Sequence, residues 1–290
     1  MLLTSALVSG LALGSMYGLL ALGFYVTYAV SSTVNFAQGS SMMLGAVLTY
    51  TFAATFGWPF LPAALLALAL CALYGALVEL LAVRPFARRG SNAWLMATVA
   101  LGIVADNTVL FTFGKEPRGF SLPWAQGSIQ IAGMNVSLLQ LAIPAVGLTV
   151  AFGLSFFSRH SRNGKAMLAV VQNADAARLM GINVPRAILL AYMVSTALAG
   201  VAGIMIAPLF NVHSDMGTVF GLKAFAVAIL GGLTSAWGVM IAGLLFGATE
   251  SLITAFLGSA YTQILSFALV IVALALMPNG LFGRAEVKKV

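Results

Sequence analysis

Residues 1–30 read MLLTSALVSGLALGSMYGLLALGFYVTYAV. The stretch holds no Lys, Arg, Asp or Glu, and the first charged side chain of the chain is Glu79. A helix rises 1.5 Å per residue and needs roughly 20 apolar residues to cross the hydrocarbon core of a bilayer. Residues 2–30 exceed that length, and no basic segment of the kind a cleavable leader carries precedes them. They are read as a retained spanning helix.

The remainder of the chain supports a membrane reading. Of 290 residues, 61% are hydrophobic and 7% charged, whereas a soluble domain carries roughly 25% charged residues. No water-soluble core could hide this much apolar surface, so the solvent is lipid. Fourteen Lys and Arg against seven Asp and Glu give a net charge of +7. The basic residues lie in short loops at the ends of apolar runs. That is the pattern of an orientation signal, and it argues against nucleic acid as a partner. The single cysteine, Cys71, sits in an apolar run and can form neither an internal disulfide nor a multi-cysteine metal site.

Eight stretches are long and apolar enough to span: 2–30, 40–57, 61–83, 93–113, 137–158, 187–209, 237–257 and 261–278. The loop Arg84–Asn92 carries Arg84, Arg88 and Arg89 without an acid, and the loop 159–186 is also basic, so both are expected in the cytoplasm. The mixed loop 114–136 is expected outside, with a short hairpin around Gln126–Gly133. Eight crossings would leave the tail cations Arg284, Lys288 and Lys289 outside, against the bias. A ninth crossing at Val219–Leu233, VFGLKAFAVAILGGL, restores it. At about 22 Å it is shorter than the roughly 30 Å core, and it is read as broken. The expected fold is an all-α integral membrane protein. It is a polytopic helical bundle of eight long spans plus one short broken crossing, forming one transmembrane domain over 1–290. The N-terminus is expected outside and the C-terminus in the cytoplasm.

Gly10, Gly14 and Gly18 share a face of the first span, and Gly243 and Gly247 repeat the spacing. Small residues at four-residue intervals let helices approach closely in lipid. Two uncharged interruptions, Ser31–Ser41 (SSTVNFAQGSS) and Gly231–Gly238 (GGLTSAWG), fall next to apolar runs. Irregular backbone at membrane depth is tolerated where protein or a water-filled cavity satisfies it, and paired interruptions point to a transport path. Asn35, Phe36, Gln38, Gly39, Gly231, Gly232 and Thr234 are therefore candidate path residues. Ordinary interfacial turns are the competing reading. Asp106 and Glu250 lie within spans, as ion-coupling sites or as structural acceptors. Glu79 is placed to pair with Arg84 at the interface, and His160 and His213 fall in loops.

Enzyme signatures are missing. The sequence has no His/Cys/Glu cluster with metal-ligand spacing, no G-x-S-x-G elbow and no G-x-x-x-x-G-K-[ST] loop. No catalytic residue, metal ligand or resident cofactor is expected.

The long polar loop reads RHSRNGKAMLAVVQNADAARLMGINVPR from Arg159 to Arg186, with five cations against Asp175. Asn173–Gly181 has helix-forming Ala and Leu and ends in Gly, which predicts a short helix on the membrane face. Asp175-Ala176-Ala177-x-x-x-Gly181 resembles the EAA-x-x-x-G loop of ABC-transporter permeases, with Asp for Glu. Further matches run in order along nearly the whole chain: Gly14–Gly23 followed by Val34–Gly39, then Gly221–Gly232, then Met277–Arg284. Together they are similar to LivH-type branched-chain amino-acid permeases, with Gln38 where N-F-A-H-G is usual.

That resemblance implies a permease subunit of an ATP-driven importer in the bacterial inner membrane. It implies a second permease (LivM-type, or an identical copy), two cytosolic ATPases and a periplasmic binding protein. ATP and Mg would sit on the ATPases and not on this chain. Residues 159–186 become a cytoplasmic coupling loop, and Asn173–Gly181 its coupling helix. Asp175 caps it, Ala176 and Ala177 permit close seating in an ATPase, and Gly181 ends it. Branched-chain or other neutral amino acids are the expected cargo. Relatives of this family also import urea, short amides and aromatic acids. The alternative is an ion-coupled secondary transporter or channel, with Asp106 or Glu250 as the coupling group.

Overall fold

The computed structural model describes residues 2–87, 89–121, 127–131, 134–277 and 280–282. The tail cations Arg284, Lys288 and Lys289, with Arg88 and parts of the Gln126–Gly133 and Met277–Arg284 segments, lie outside the described residues. The elements in order are α1 (Leu2–Ser31), α2 (Gln38–Tyr50), α3 (Phe60–Val78), α4 (Arg84–Ala87), α5 (Trp94–Phe113), β1 (Ser128–Ile131), β2 (Met134–Ser137), α6 (Leu138–His160), α7 (Arg162–Gln172), α8 (Ala174–Leu179), α9 (Val184–Ile206), α10 (Met216–Gly231), α11 (Ala236–Leu257) and α12 (Ser259–Leu276). Among the described residues, seven helices are long and apolar enough to cross a membrane. The protein is a polytopic all-α membrane protein.

The expected spans are recovered with one shortfall. The 40–57 stretch is α2, 13 residues long, continued by a π-helical turn over Thr51–Thr55. It does not reach the length and hydropathy of the seven, because its first turn is Gln38-Gly39-Ser40-Ser41, small and polar. That composition suits its position, since α2 is buried over most of its length among other helices. The short crossing expected at 219–233 is α10, 16 residues or about 24 Å long. Glu79–Val83 forms a second π-helical turn that carries α3 on into α4.

The most extensive helix pair is α1 with α11, where the two glycine stripes meet face to face and run antiparallel. A Cβ on Gly14 would lie 2.6 Å from the Gly243 carbonyl oxygen, and one on Gly247 would lie 2.3 Å from the Gly14 Cα. Gly10 makes an equivalent contact with Gly247–Ala248, and a Cβ on Gly243 would lie 2.6 Å from the Gly18 nitrogen. Only hydrogen fits between these backbones, which explains the spacing in both stripes. The core extends from this seam through Met16, Tyr17, Leu19 and Leu20 of α1 to Met42 and Met43 of α2, all essentially buried.

The two ends of the bundle differ. A small antiparallel hairpin, with Ser128 opposite Ser137, leads into the N-terminus of α6. The helix is entered through a capping box in which the Ser137 hydroxyl accepts from the Leu139 N–H at 3.3 Å. The hairpin expected around Gln126–Gly133 thus forms a few residues later. Helix α6 is 23 residues, about 35 Å, long, and α7 and α8 follow at its far end. The basic loop is therefore two helices and not one. The expected element at Asn173–Gly181 is preceded by α7, an 11-residue amphipathic helix with Ser161 as its cap.

Candidate functional site

Helix α8 is built to stand alone at the bundle end. Asn173 has extended dihedrals (φ −162°, ψ 108°), and its Oδ1 accepts from the N–H groups of Asp175 and Ala176, each at 3.0 Å. The cap is Asn173 and not Asp175, because Asn173 is the residue whose backbone leaves the helix. Asp175 sits inside the first turn, where its charge suits the helix dipole, and it faces Arg178 at 3.3 Å in an exposed pair. At the other end Gly181 takes φ +84°. The Gly181 N–H reaches the Arg178 carbonyl at 2.9 Å, and the Ile182 N–H reaches that of Ala177 at 3.0 Å. This is the Schellman ending that a glycine in the left-handed region permits.

With both ends closed, the six-residue helix fixes what it shows to its surroundings. Ala177 is fully buried against its own chain, and Ala176 faces outward. Leu179 is 91% and Met180 71% exposed. This apolar knob was not singled out from the sequence. Reading the helical phase from the buried Ala177 would have found it.

The first interruption is knit into the interior. Chain direction changes after α1, with Ser32 at φ 55°, and α2 restarts at the depth of Gly23. Gln38 is fully buried. Its Nε2 donates to the Ser195 carbonyl at 3.0 Å, and the Ser195 hydroxyl lies 3.0 Å from its Oε1 and 2.8 Å from the Gly23 carbonyl. Asn35, also buried, accepts from the Ala37 N–H at 3.1 Å and approaches Gln38 Oε1 at 3.4 Å. Gly23 has to lack a side chain, since a Cβ there would fall 1.8 Å from Gln38 Nε2. Thr33 is tied to Tyr192 by a 2.7 Å contact between hydroxyls. These bonds satisfy backbone and side chains that lipid could not.

Phe36 and Gly39, from the same segment, open onto space. They line a cavity of about 200 Å³ with Phe24, Val99, Asp106 and Phe225. A second cavity of about 480 Å³ adjoins it and is lined by Asn107, Lys115, His213 and Asp215. The two share Ile103, Asp106 and Thr218 as walls. The larger one lies toward the end of the bundle opposite α8, beside the bridge that joins Arg118 to Val212. The second interruption is arranged differently. Gly231 is packed on Gly238 and Val239, Gly232 turns the chain at φ +85°, and the Ser235 hydroxyl caps α11 by accepting from the Gly238 N–H at 3.1 Å. Thr234 lines a separate cavity of about 300 Å³ with Tyr25, Arg159, Met167 and Trp237, near α7.

The ionisable residues divide by role. Glu79 pairs with Arg84 at 2.8 Å. Glu250 forms a buried ion pair with Lys223 of α10, and the ammonium also lies 5.8 Å from the centre of the Tyr17 ring. This pair ties α10 to α11 and assigns Glu250 a structural partner that sequence reading missed. A lone Lys inside a 16-residue apolar helix was the available signal. Asp106 has no such ion pair among the described residues. Ser40 of α2 is its hydrogen-bonding neighbour, and Oδ1 is buried without a hydrogen-bond partner.

A family model described as the branched-chain amino acid transport system / permease component matches residues 6–274. The chain belongs to this permease family. The permease protein LivH of the high-affinity branched-chain amino acid transport system of Escherichia coli K12 is 33% identical over 295 residues, covering 97% of this chain and 96% of that one. BraD, the corresponding permease protein of Pseudomonas aeruginosa, is 32% identical and covers 98% of this chain and 97% of its own. A probable LivH of Methanocaldococcus jannaschii is 30% identical over 91% of this chain and 88% of that relative. The match therefore takes in α8, the Gln38 segment and both adjoining cavities.

Proposed function

We propose that this chain is the membrane-spanning permease subunit of an ATP-driven importer in the bacterial inner membrane, carrying branched-chain or closely related neutral amino acids. The observation that carries the coupling half of the reading is α8. It is a short helix capped at both ends, held at one extremity of the bundle, with Leu179 and Met180 exposed. An apolar knob on a rigid stub is what a cytosolic ATPase can grip. Asp175, Ala176, Ala177 and Gly181 build the stub, and Leu179 and Met180 make the contact. Two ATPases bind ATP and Mg, and this chain contributes no catalytic group.

The transport half rests on the cavities at the opposite end. They lie along α5, a helix largely exposed in this chain, and a second permease, LivM-type or an identical copy, seated there would complete the path. With α8 in the cytoplasm, the larger cavity opens to the periplasm, where a binding protein delivers cargo. Apart from Asp106, the walls of the smaller cavity are uncharged and largely apolar, which suits an aliphatic side chain. The test is Leu179→Asp combined with Met180→Asp in the complete transporter. Expected is loss of ATPase subunits from the purified complex while the permease remains inserted. Full copurification together with full ATP-driven uptake would remove α8 from the coupling role.

A further inference from the structure

The junction of the two cavities holds a carboxyl group with unfilled hydrogen-bonding capacity. Asp106 projects from the middle of α5, and its Oδ1 is buried with no partner among the described residues. An acid within a membrane span is costly and usually faces the bundle interior, and a buried polar atom left unpaired calls for an explanation. On one side of Asp106 lies the smaller cavity. Its walls are the side chains of Phe24, Phe36, Val99, Ile103, Leu222 and Phe225, and no Lys or Arg lines it. Gly39 and Gly217 bring the α2 and α10 backbones together at its floor, where a Cβ on Gly39 would lie 2.3 Å from the Gly217 oxygen. On the other side lies the larger polar cavity, with Lys115, His213 and Asp215 in its wall.

The order of groups is therefore apolar pocket, carboxylate, then a wider polar space whose wall carries the cation Lys115 and the acid Asp215. We propose that Asp106 is the ammonium-binding residue of a substrate site at this junction, one that takes amino acids with uncharged aliphatic side chains. The α-ammonium donates to Asp106 Oδ1. A charge-assisted hydrogen bond of this kind is among the stronger ones. The side chain enters the smaller cavity against Phe36 and Phe225, and the α-carboxylate is left toward Lys115 in the larger one. The inference rests on reading the chain as an importer permease and adds to it a specificity-determining residue, which motif reading had left as an ion-coupling site or a structural acceptor.

The experiment uses the assembled transporter, with its ATPases and binding protein, in liposomes. Wild-type uptake of labelled leucine is measured with and without enclosed ATP, then repeated for Asp106→Asn, Asp106→Glu and Val99→Trp. Expected for Asp106→Asn is at least a tenfold fall in initial uptake rate with unchanged subunit composition, and partial recovery in Asp106→Glu. Expected for Val99→Trp, which narrows the smaller cavity, is a larger fall for leucine than for alanine. Wild-type rates in Asp106→Asn overturn the inference. So does equal loss of leucine and alanine uptake in Val99→Trp, which also decides the matter if Asp106→Asn fails to assemble. Either result leaves the importer reading intact as long as wild-type uptake requires ATP. Wild-type uptake that ignores ATP and follows an ion gradient overturns both.

Discussion

Replacing Lys223 by Met isolates the energetics of the buried ion pair. Lys223 and Glu250 have side chains 11% and 8% exposed, and Glu250 Oε2 already lacks a hydrogen-bond partner among the described residues. Met preserves the length of the Lys stem and removes its charge, leaving the Glu250 carboxylate between α10 and α11 with Tyr17 as a hydrogen-bonding neighbour and no cation. Breaking a buried pair from one side costs about 3–5 kcal/mol, because the remaining charge is uncompensated. Removing both charges in the double variant Lys223→Met with Glu250→Gln is expected to be close to neutral on the same reasoning. At roughly 2–4 °C per kcal/mol for a chain of this general size, the single variant should melt about 6–20 °C lower. The chain provides its own reporter. Cys71 is its single cysteine and is fully buried, so a thiol-reactive dye added in detergent reads unfolding directly. The cycle is refuted if Lys223→Met melts with the wild type, or if the double variant falls as far as the single one. The first outcome would mean that the pair does not hold α10 to α11, and the second that the loss comes from removing Lys223 itself and not from an unpaired Glu250 charge.

Three further outcomes are expected. Gly247→Ala places a Cβ 2.3 Å from the Gly14 Cα, so two backbones have to part. A loss of about 1–3 kcal/mol follows, readable in the same thermal assay, and wild-type melting would contradict the close α1–α11 seam. Gln38→Leu strips the bonds to Ser195 and Asn35 and should lower stability by about 1–3 kcal/mol, with uptake per folded complex largely kept; selective loss of uptake would place Gln38 in the path itself. Asn173→Ala removes the α8 cap and should loosen that helix by about 1 kcal/mol. The measurable result is weaker ATPase copurification at unchanged permease stability, and unchanged copurification would count against a docking role for α8.

The parts of this fold legible in the sequence were those set by the solvent. Runs of apolar residues the length of a bilayer can only be spans, and the glycine stripes can only be close contacts, although which stripe meets which is a long-range fact. The α8 helix was legible because its ending at Gly181 is a local signal. Cap preference rates Asn and Asp alike, so the sequence allows Asp175 as the cap, and only the dihedrals at Asn173 decide between them. The 40–57 stretch is displaced by two residues from the helix that forms, Gln38–Tyr50 with its π-helical continuation to Thr55, because hydropathy does not reveal that the small polar residues Gln38–Ser41 start the helix inside the bundle. The Lys223–Glu250 pair and the Asp106 cavity depend on contacts between helices distant in sequence, which periodicity and motifs do not carry. The Gln38 segment shows both sides of this. Its interruption of the apolar pattern was visible, while the division into a buried network at Asn35 and Gln38 and a cavity wall at Phe36 and Gly39 required the tertiary packing.

The most direct measurement is accumulation of labelled leucine by liposomes holding the complete transporter, with ATP sealed on the α8 side and the binding protein on the other. Accumulation that appears with ATP and vanishes without it is the result expected of a conduit operated through α8. Accumulation by this chain alone, driven by a sodium or proton gradient with no nucleotide present, would contradict it.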